Sequence, residues 1–120
     1  MIQRRILVVD DDFGFIEALS SILKRDFEVS TATGVAEAKQ VLMSEDVDAV
    51  CSDFHMRDGT GLDLLEWIRE KGTMIPFLLF SGTEEIALIN TVNCDDATFC
   101  GKTDCDLIER IKNVINSKTM

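Results

Sequence analysis

Five short apolar runs alternate with amphipathic stretches along 120 residues, and this alternation narrows the choice of fold more than any other feature of the chain. Ile6 to Val9 is continuously apolar, as a strand buried on both faces requires. Phe13 to Arg25 follows as a helix, with Ile16, Leu19, Ile22 and Leu23 expected on one face. Phe27 to Thr31 alternates apolar and polar residues and suits an edge strand. Thr33 is placed to cap a second helix, striped by Val35, Ala38, Val41 and Leu42. Val47 to Ser52 reads as a third strand, followed by a turn at Asp58-Gly59. Thr60-Gly61-Leu62-Asp63 has the form of a capping box and opens a third helix that Gly72 ends. Ile75 to Phe80 is a fourth strand with Pro76 tolerated near its start. Thr83 to Asn90 is a weaker helix, and Ala97 to Cys100 a fifth strand. A last helix, with Thr103 as its cap, carries Leu107, Ile108, Ile111, Val114 and Ile115.

Strands alternating with helices imply an α/β fold: a parallel sheet with helices on both faces. Right-handed crossovers then bring every strand's carboxyl end to one rim, where open α/β sheets bind their ligands. Polar residues stand at four of those ends: Asp10 and Asp11, Asp53, Ser81 and Lys102. Taken singly, each has an ordinary reading as a solvated loop acid, a turn-initiating Asp, a strand-end Ser or a surface Lys. Asp12 reads more simply as a helix cap than as a ligand. Taken together they describe a charged pocket. Carboxylates about 5 Å apart at an effective dielectric near 20 repel by roughly 3 kcal/mol per pair. Such a cluster either holds protons or binds a cation. A hard dication fits best, because Mg²⁺ takes one or two carboxylates and recruits phosphate oxygens. Lys102 adds a fixed positive charge and Ser81 a hydroxyl, which makes Asp53 a candidate nucleophile for an aspartyl phosphate.

Length and charge bound the rest. A chain of 120 residues fits one domain, taken as 1–120 with 116–120 as a loose polar tail. The formal charge of −10 argues against nucleic acid or an anionic membrane as the primary partner; the acidity serves solubility or a basic partner. The apolar stretch before Asp10 is too short for a signal-peptide core, and the one near Met74 to Phe80 too short to span a bilayer, so a cytoplasmic location is expected. Cys51, Cys94, Cys100 and Cys105 form no C-x-x-C pair, and with His55 as the single His their spacing does not suit a common zinc site. They read as reduced, packed thiols. Met56 and Trp67 read as packing residues, and the His55 side chain as part of the pocket's lip.

Ile6-Leu7-Val8-Val9-Asp10-Asp11-Asp12, Asp53-Phe54-His55-Met56 with Gly61, Phe80-Ser81-Gly82 and Phe99-Cys100-Gly101-Lys102 together resemble the receiver domain of bacterial two-component response regulators. The resemblance spans essentially the whole chain, including Pro76. It implies a flavodoxin-like (βα)5 doubly wound sandwich, with a five-stranded parallel sheet in the order 2-1-3-4-5 and helices on both faces. It implies a signalling module and not an enzyme. Asp53 would accept a phosphoryl group from a phosphohistidine on a histidine kinase or phosphotransfer protein. Asp11, Asp53 and the His55 backbone carbonyl would hold Mg²⁺, with Asp10 acting through a water. Lys102 would pair with Asp53 before transfer and with the phosphoryl oxygens after it. Ser81 and Phe99 would act as switch residues, remodelling the face built from the fourth helix, fifth strand and fifth helix. The output would be a downstream protein or a fused domain, and a phosphorylation-dependent dimer fits the same pattern.

Some residues depart from the family pattern. Arg57 and Thr103 stand where the family usually has Pro, and Gly82 where it usually has Ala. Without Pro, a trans Lys102–Thr103 bond is expected. Gly82 leaves room for the backbone to approach a phosphate. His55 and Thr83, two places after Asp53 and Ser81, are placed to tune dephosphorylation. Two other classes of function compete. One is a receiver-fold interaction module without a phosphorylation switch, motivated by the absent prolines. The other is a small haloacid-dehalogenase-like aspartate phosphatase, motivated by Asp10-x-Asp12 after an apolar strand with Ser81 and Lys102 downstream.

Overall fold

Ile6–Val9 is fully buried because its side chains alternate between two cores, Ile6 and Val8 on one sheet face and Leu7 and Val9 on the other. The computed structural model describes residues 4–81, 97–101 and 107–116. Five strands form one parallel sheet: β1 (Arg5–Val9), β2 (Glu28–Ala32), β3 (Ala49–Asp53), β4 (Phe77–Ser81) and β5 (Ala97–Gly101). Their order is β2-β1-β3-β4-β5, the 2-1-3-4-5 arrangement that the resemblance implied. The order reverses between β1 and β3, so the carboxyl ends of these two strands flank the crevice where such sheets bind ligands.

Four helices are described: α1 (Phe13–Leu23), α2 (Val35–Ser44), α3 (Gly61–Glu70) and α4 (Leu107–Asn116). One face of the sheet meets Ile16, Leu19 and Leu23 of α1 and Leu107, Ile111 and Ile115 of α4. The Phe15 and Phe80 rings meet edge to face there, with centroids 5.2 Å apart. The other face meets Val35 and Ala38 of α2 and Leu64, Leu65 and Ile68 of α3. The helix expected over 83–90, with its Thr83, and the Gly82 and Thr103 positions lie outside the described residues.

Several local expectations are corrected. Ile22 is 42% exposed. It lies six residues after Ile16, about 120° around the helix, and Ser20 takes the buried position instead. α1 ends at Leu23, and the Lys24 and Phe27 amides bond back to the Ser20 and Leu23 carbonyls, so β2 begins only at Glu28. β4 starts at Phe77 because Pro76 has no N–H to give the ladder; its carbonyl still accepts from the Val50 amide at 3.0 Å. β3 runs from Ala49 through Asp53, two residues later at its start than expected. Thr33 does not cap α2, because it sits one place too early. Gly34 is the cap position, and the Thr33 hydroxyl donates to Glu37 Oε1 at 3.2 Å. α4 includes Asn116, one residue into the expected tail.

Two caps are as expected. Asp12 Oδ1 accepts from the Gly14 and Phe15 amides at 3.0 and 3.3 Å, so Asp12 serves α1. At α3, Thr60 Oγ1 accepts from the Asp63 amide at 3.1 Å and Asp63 Oδ2 accepts from the Thr60 amide at 2.9 Å, a complete capping box. Cys51 and Cys100 are buried, and Cys94 and Cys105 lie outside the described residues. No helix among the described residues is long and apolar enough to cross a membrane.

Candidate functional site

The site is assembled at the carboxyl ends of β1 and β3. Asp10 follows β1 directly and is completely buried, although it is an acid. Its amide donates to the Ala32 carbonyl at the end of β2 (3.0 Å), which extends the β1–β2 ladder one step past the last strand residue. Its Oδ1 accepts from the Asp12 amide at 2.9 Å. The chain thus turns sharply over Asp10 and projects Asp11 across the rim before α1 begins.

Asp53 closes β3 opposite Phe80 and is half-buried. The next amide, Phe54 N–H, is shared between Asp53 Oδ1 (2.9 Å) and the Phe80 carbonyl (3.0 Å). The buried Ser52 hydroxyl donates to the Asp53 carbonyl at 2.9 Å. Phe54 in turn gives its carbonyl to the Gly61 amide at 2.8 Å, which seats the start of α3 beside the strand end. Between these points the chain forms a small hairpin, His55–Met56 pairing with Gly59–Thr60. Met56 is buried among the core residues of the α2–α3 face, and the exposed His55 ring meets the Phe54 ring edge-on at 4.8 Å.

Oxygens of Asp10, Asp11 and Asp53 lie within 4.8 Å of one another. An octahedral site with bonds of about 2.1 Å places opposite ligand oxygens about 4.2 Å apart, so one small dication fits this span with little adjustment. All the donors are hard oxygens, which favours Mg²⁺ over softer metals. Of the other sequence-predicted residues, Ser81 ends β4 and pairs with Gly101, and Phe99 pairs with Leu79 across the β4–β5 ladder. Their backbones therefore sit on adjacent strands at the same rim. Lys102, the residue after Gly101, lies outside the described residues.

Sequence reasoning missed two supports of this site. Gly61 is quoted above only as part of a motif, yet a Cβ there would lie 2.6 Å from the Asp53 carbonyl oxygen, 3.2 Å from Ser52 Oγ and in overlap with Leu79 Cδ1. Only a glycine lets α3 start so close to Asp53. Asp58 is the second. Its Oδ1 and Oδ2 accept from the Val35 and Ala36 amides, at 2.8 and 2.9 Å, at the start of α2. These two bonds, that to Ala36 first, hold its carboxyl below the ordinary value of 3.8. The only trace of this in the sequence is indirect, since Gly34 offers α2 no capping side chain.

A cavity of about 630 Å³ lies at the opposite rim, lined by Leu42, Trp67, Ile68 and Ile75 and also by Glu45, Asp46 and Asp48. Among the described residues, the acids that converge closely enough to hold a metal ion are Asp10, Asp11 and Asp53.

Comparison with known proteins places these observations in a family. A family model described as the response regulator receiver domain matches residues 6–100. The photosynthetic apparatus regulatory protein RegA of Cereibacter sphaeroides is 34% identical over 85 residues, covering 70% of this chain and 46% of that protein. The hydrogenase transcriptional regulatory protein HoxA of Bradyrhizobium diazoefficiens is 36% identical over 84 residues, covering 70% and 17%. The chain therefore spans less than half the length of these curated relatives. Among solved structures, the non-phosphorylated HemR receiver domain of Leptospira biflexa superposes with a TM-score of 0.79 at 30% identity, covering 94% of each chain. The response regulator protein TrrA of Thermotoga maritima, solved in complex with Mg²⁺ and beryllofluoride, gives 0.77 at 26% identity, covering 92% of this chain and 98% of that one.

Proposed function

The chain belongs to the response regulator receiver domain family, the phosphoacceptor module of two-component signalling, and on that premise we propose that Asp53 is its phosphoacceptor. The observation that carries the assignment is the convergence of Asp10, Asp11 and Asp53 oxygens within 4.8 Å at the carboxyl rim of the sheet. A carboxylate oxygen of Asp53 attacks the phosphorus of a phosphohistidine. The new bond is O–P, the broken bond is N–P, and the imidazole nitrogen takes up a proton. The donor is a histidine kinase or phosphotransfer protein.

Asp11, Asp53 and the His55 carbonyl would hold Mg²⁺, and Asp10 would act on it through water. When bound, the ion would neutralise charge on phosphoryl oxygens beside a cluster of anions. The chain's own part is positioning. The Phe54 amide orients the Asp53 carboxylate, and the Asp12 amide orients that of Asp10. Lys102 pairs with Asp53 and then with the phosphoryl group. Ser81 and Phe99 relay the change to the face formed by the segment after β4, by β5 and by α4. The pairing of Ser81 with Gly101 supports that route, since the two strand ends belong to one ladder. The segment 1–120 acts as a single cytoplasmic receiver domain that passes its state to a downstream protein or fused output domain, or to a second receiver by dimerisation. It acts neither on nucleic acid directly nor on membranes.

Asp53 and not Asp10 is the nucleophile because Asp10 has no exposed surface whereas Asp53 is half-open. This favours the receiver over a phosphatase built on Asp10. Incubation with acetyl phosphate and Mg²⁺ tests the assignment. Wild type is expected to gain a phosphoryl label that alkali and hydroxylamine both release, and Asp53→Asn or chelation of the metal to abolish it. Undiminished labelling of Asp53→Asn would remove Asp53 from this role. Multiple turnover of a phosphomonoester that is lost in Asp10→Asn would point to the phosphatase instead. If beryllofluoride with Mg²⁺ left every amide NMR signal in place, the switching role would be refuted.

A further inference from the structure

Asp58 lies at the tip of the hairpin that follows the phosphoacceptor, yet it serves a helix from a different part of the chain. Both its oxygens are engaged, Oδ1 by the Val35 amide at 2.8 Å and Oδ2 by the Ala36 amide at 2.9 Å. The space beside Gly34 is shaped for this contact, since a Cβ there would lie 2.7 Å from Asp58 Oδ1. α2 has no side-chain cap from its own N-terminal segment, so Asp58 supplies the acceptors that the first turn lacks.

The position of this contact is what matters. Val35 follows β2 by a short link, and the last residue of β2, Ala32, holds the Asp10 amide. On the other side, Asp58 is tied through the His55–Met56 and Gly59–Thr60 pairing to Phe54, whose amide holds Asp53 Oδ1. One carboxylate therefore closes a ring. It runs from Asp10 through β2 and the start of α2 to Asp58, and through the hairpin to His55 and Asp53. The acids from β1 and the groups from the β3 loop sit on opposite sides of that ring.

We infer that Asp58 is a positioning residue which locks the hairpin carrying the His55 carbonyl against α2 and thereby sets the affinity of the acidic site for Mg²⁺. The inference rests on the metal reading of that site. Groups one shell removed from a metal commonly change its affinity by about tenfold or more when lost. Asp58 acts at the next remove, through backbone placement, so about tenfold is the effect expected.

The test is a titration of the full chain with Mg²⁺ alone, followed by backbone amide NMR. Wild type is expected to show a saturable shift at residues following β1 and at the end of β3. Asp58→Ala is expected to raise the midpoint about tenfold and to speed hydrogen exchange at the Val35 and Ala36 amides. Asp58→Asn, which keeps one acceptor oxygen, is expected to fall between the two. Gly34→Ala breaks the same contact from the α2 side, and is expected to weaken Mg²⁺ binding even if Asp58→Ala fails to fold. A cap that served stability alone would lower Tm and leave the midpoint of wild type in place; that result in either variant overturns the inference. Wild type without saturable shifts would instead overturn the metal reading beneath it, a distinct outcome.

Discussion

Gly61 has no chemistry of its own, but it decides how Asp53 is held. Its missing side chain lets the start of α3 lie against the Asp53 carbonyl and the Ser52 hydroxyl, while its amide takes the Phe54 carbonyl. A methyl group there has backbone on one side, so the strand end must move. Gly61→Ala is expected to lower stability by about 1–3 kcal/mol, measured by urea unfolding, and to slow labelling by acetyl phosphate. Unchanged values for both would mean that the contact is slack. Cys51 makes a second residue-scale point. Burial in β3, with Cys100 nearby, pushes its thiol up to about 12 from an ordinary 9.0. The neutral thiol therefore contributes stability that is complete below pH 9.0 and fades as pH rises through about 12. Cys51→Ala is expected to flatten this alkaline fall in Tm relative to wild type, at the cost of a lower Tm near neutrality. An alkaline limb identical in the two proteins would contradict that account.

Elements differ in how much of them the sequence discloses. β1 was legible because four successive apolar residues suit only a strand buried on both faces. The α3 capping box was legible because its partners are three residues apart. The true cap of α2 was not, because Asp58 reaches it from another turn of the chain and looks locally like an ordinary Asp-Gly turn. The misplaced Ile22 shows a different limit: helix neighbours can both be buried, as Leu64 and Leu65 are, so apolar character alone does not show that Ile22 lies past the edge of the buried stripe. Of the pocket, the three acids were legible because each stands at the exit of an apolar run; their support by Ser52, Gly61 and Asp58 arises only from tertiary approach. Asp58 also gives α2 a pH signature. Its carboxyl is held below 3.8 by the Ala36 and Val35 amides, so its contribution is complete above the ordinary carboxylate range. That contribution is lost as pH falls through its depressed value. The stability difference between wild type and Asp58→Asn is expected to shrink as the solution is acidified below 3.8. A difference independent of pH would remove the carboxylate's charge from the explanation.

At the scale of the molecule, two apolar faces fix one sheet, and the sheet's strand order brings separate loops to one rim. The core and the pocket are thus independent in composition but joined in geometry. Core residues such as Leu7 and Val9 aim Asp10, and Val50 and Ser52 aim Asp53. The central claim, that the converging acids make Asp53 an acceptor of phosphate, is tested most directly by chemical trapping. The protein is treated with acetyl phosphate and Mg²⁺, reduced with borohydride, and digested for peptide mass spectrometry. Reduction of an aspartyl phosphate leaves homoserine, and the expected result is that conversion at position 53 alone, dependent on the metal. Conversion at position 10 or 11, or at none of the three with the protein folded and Mg²⁺ present, would contradict the account.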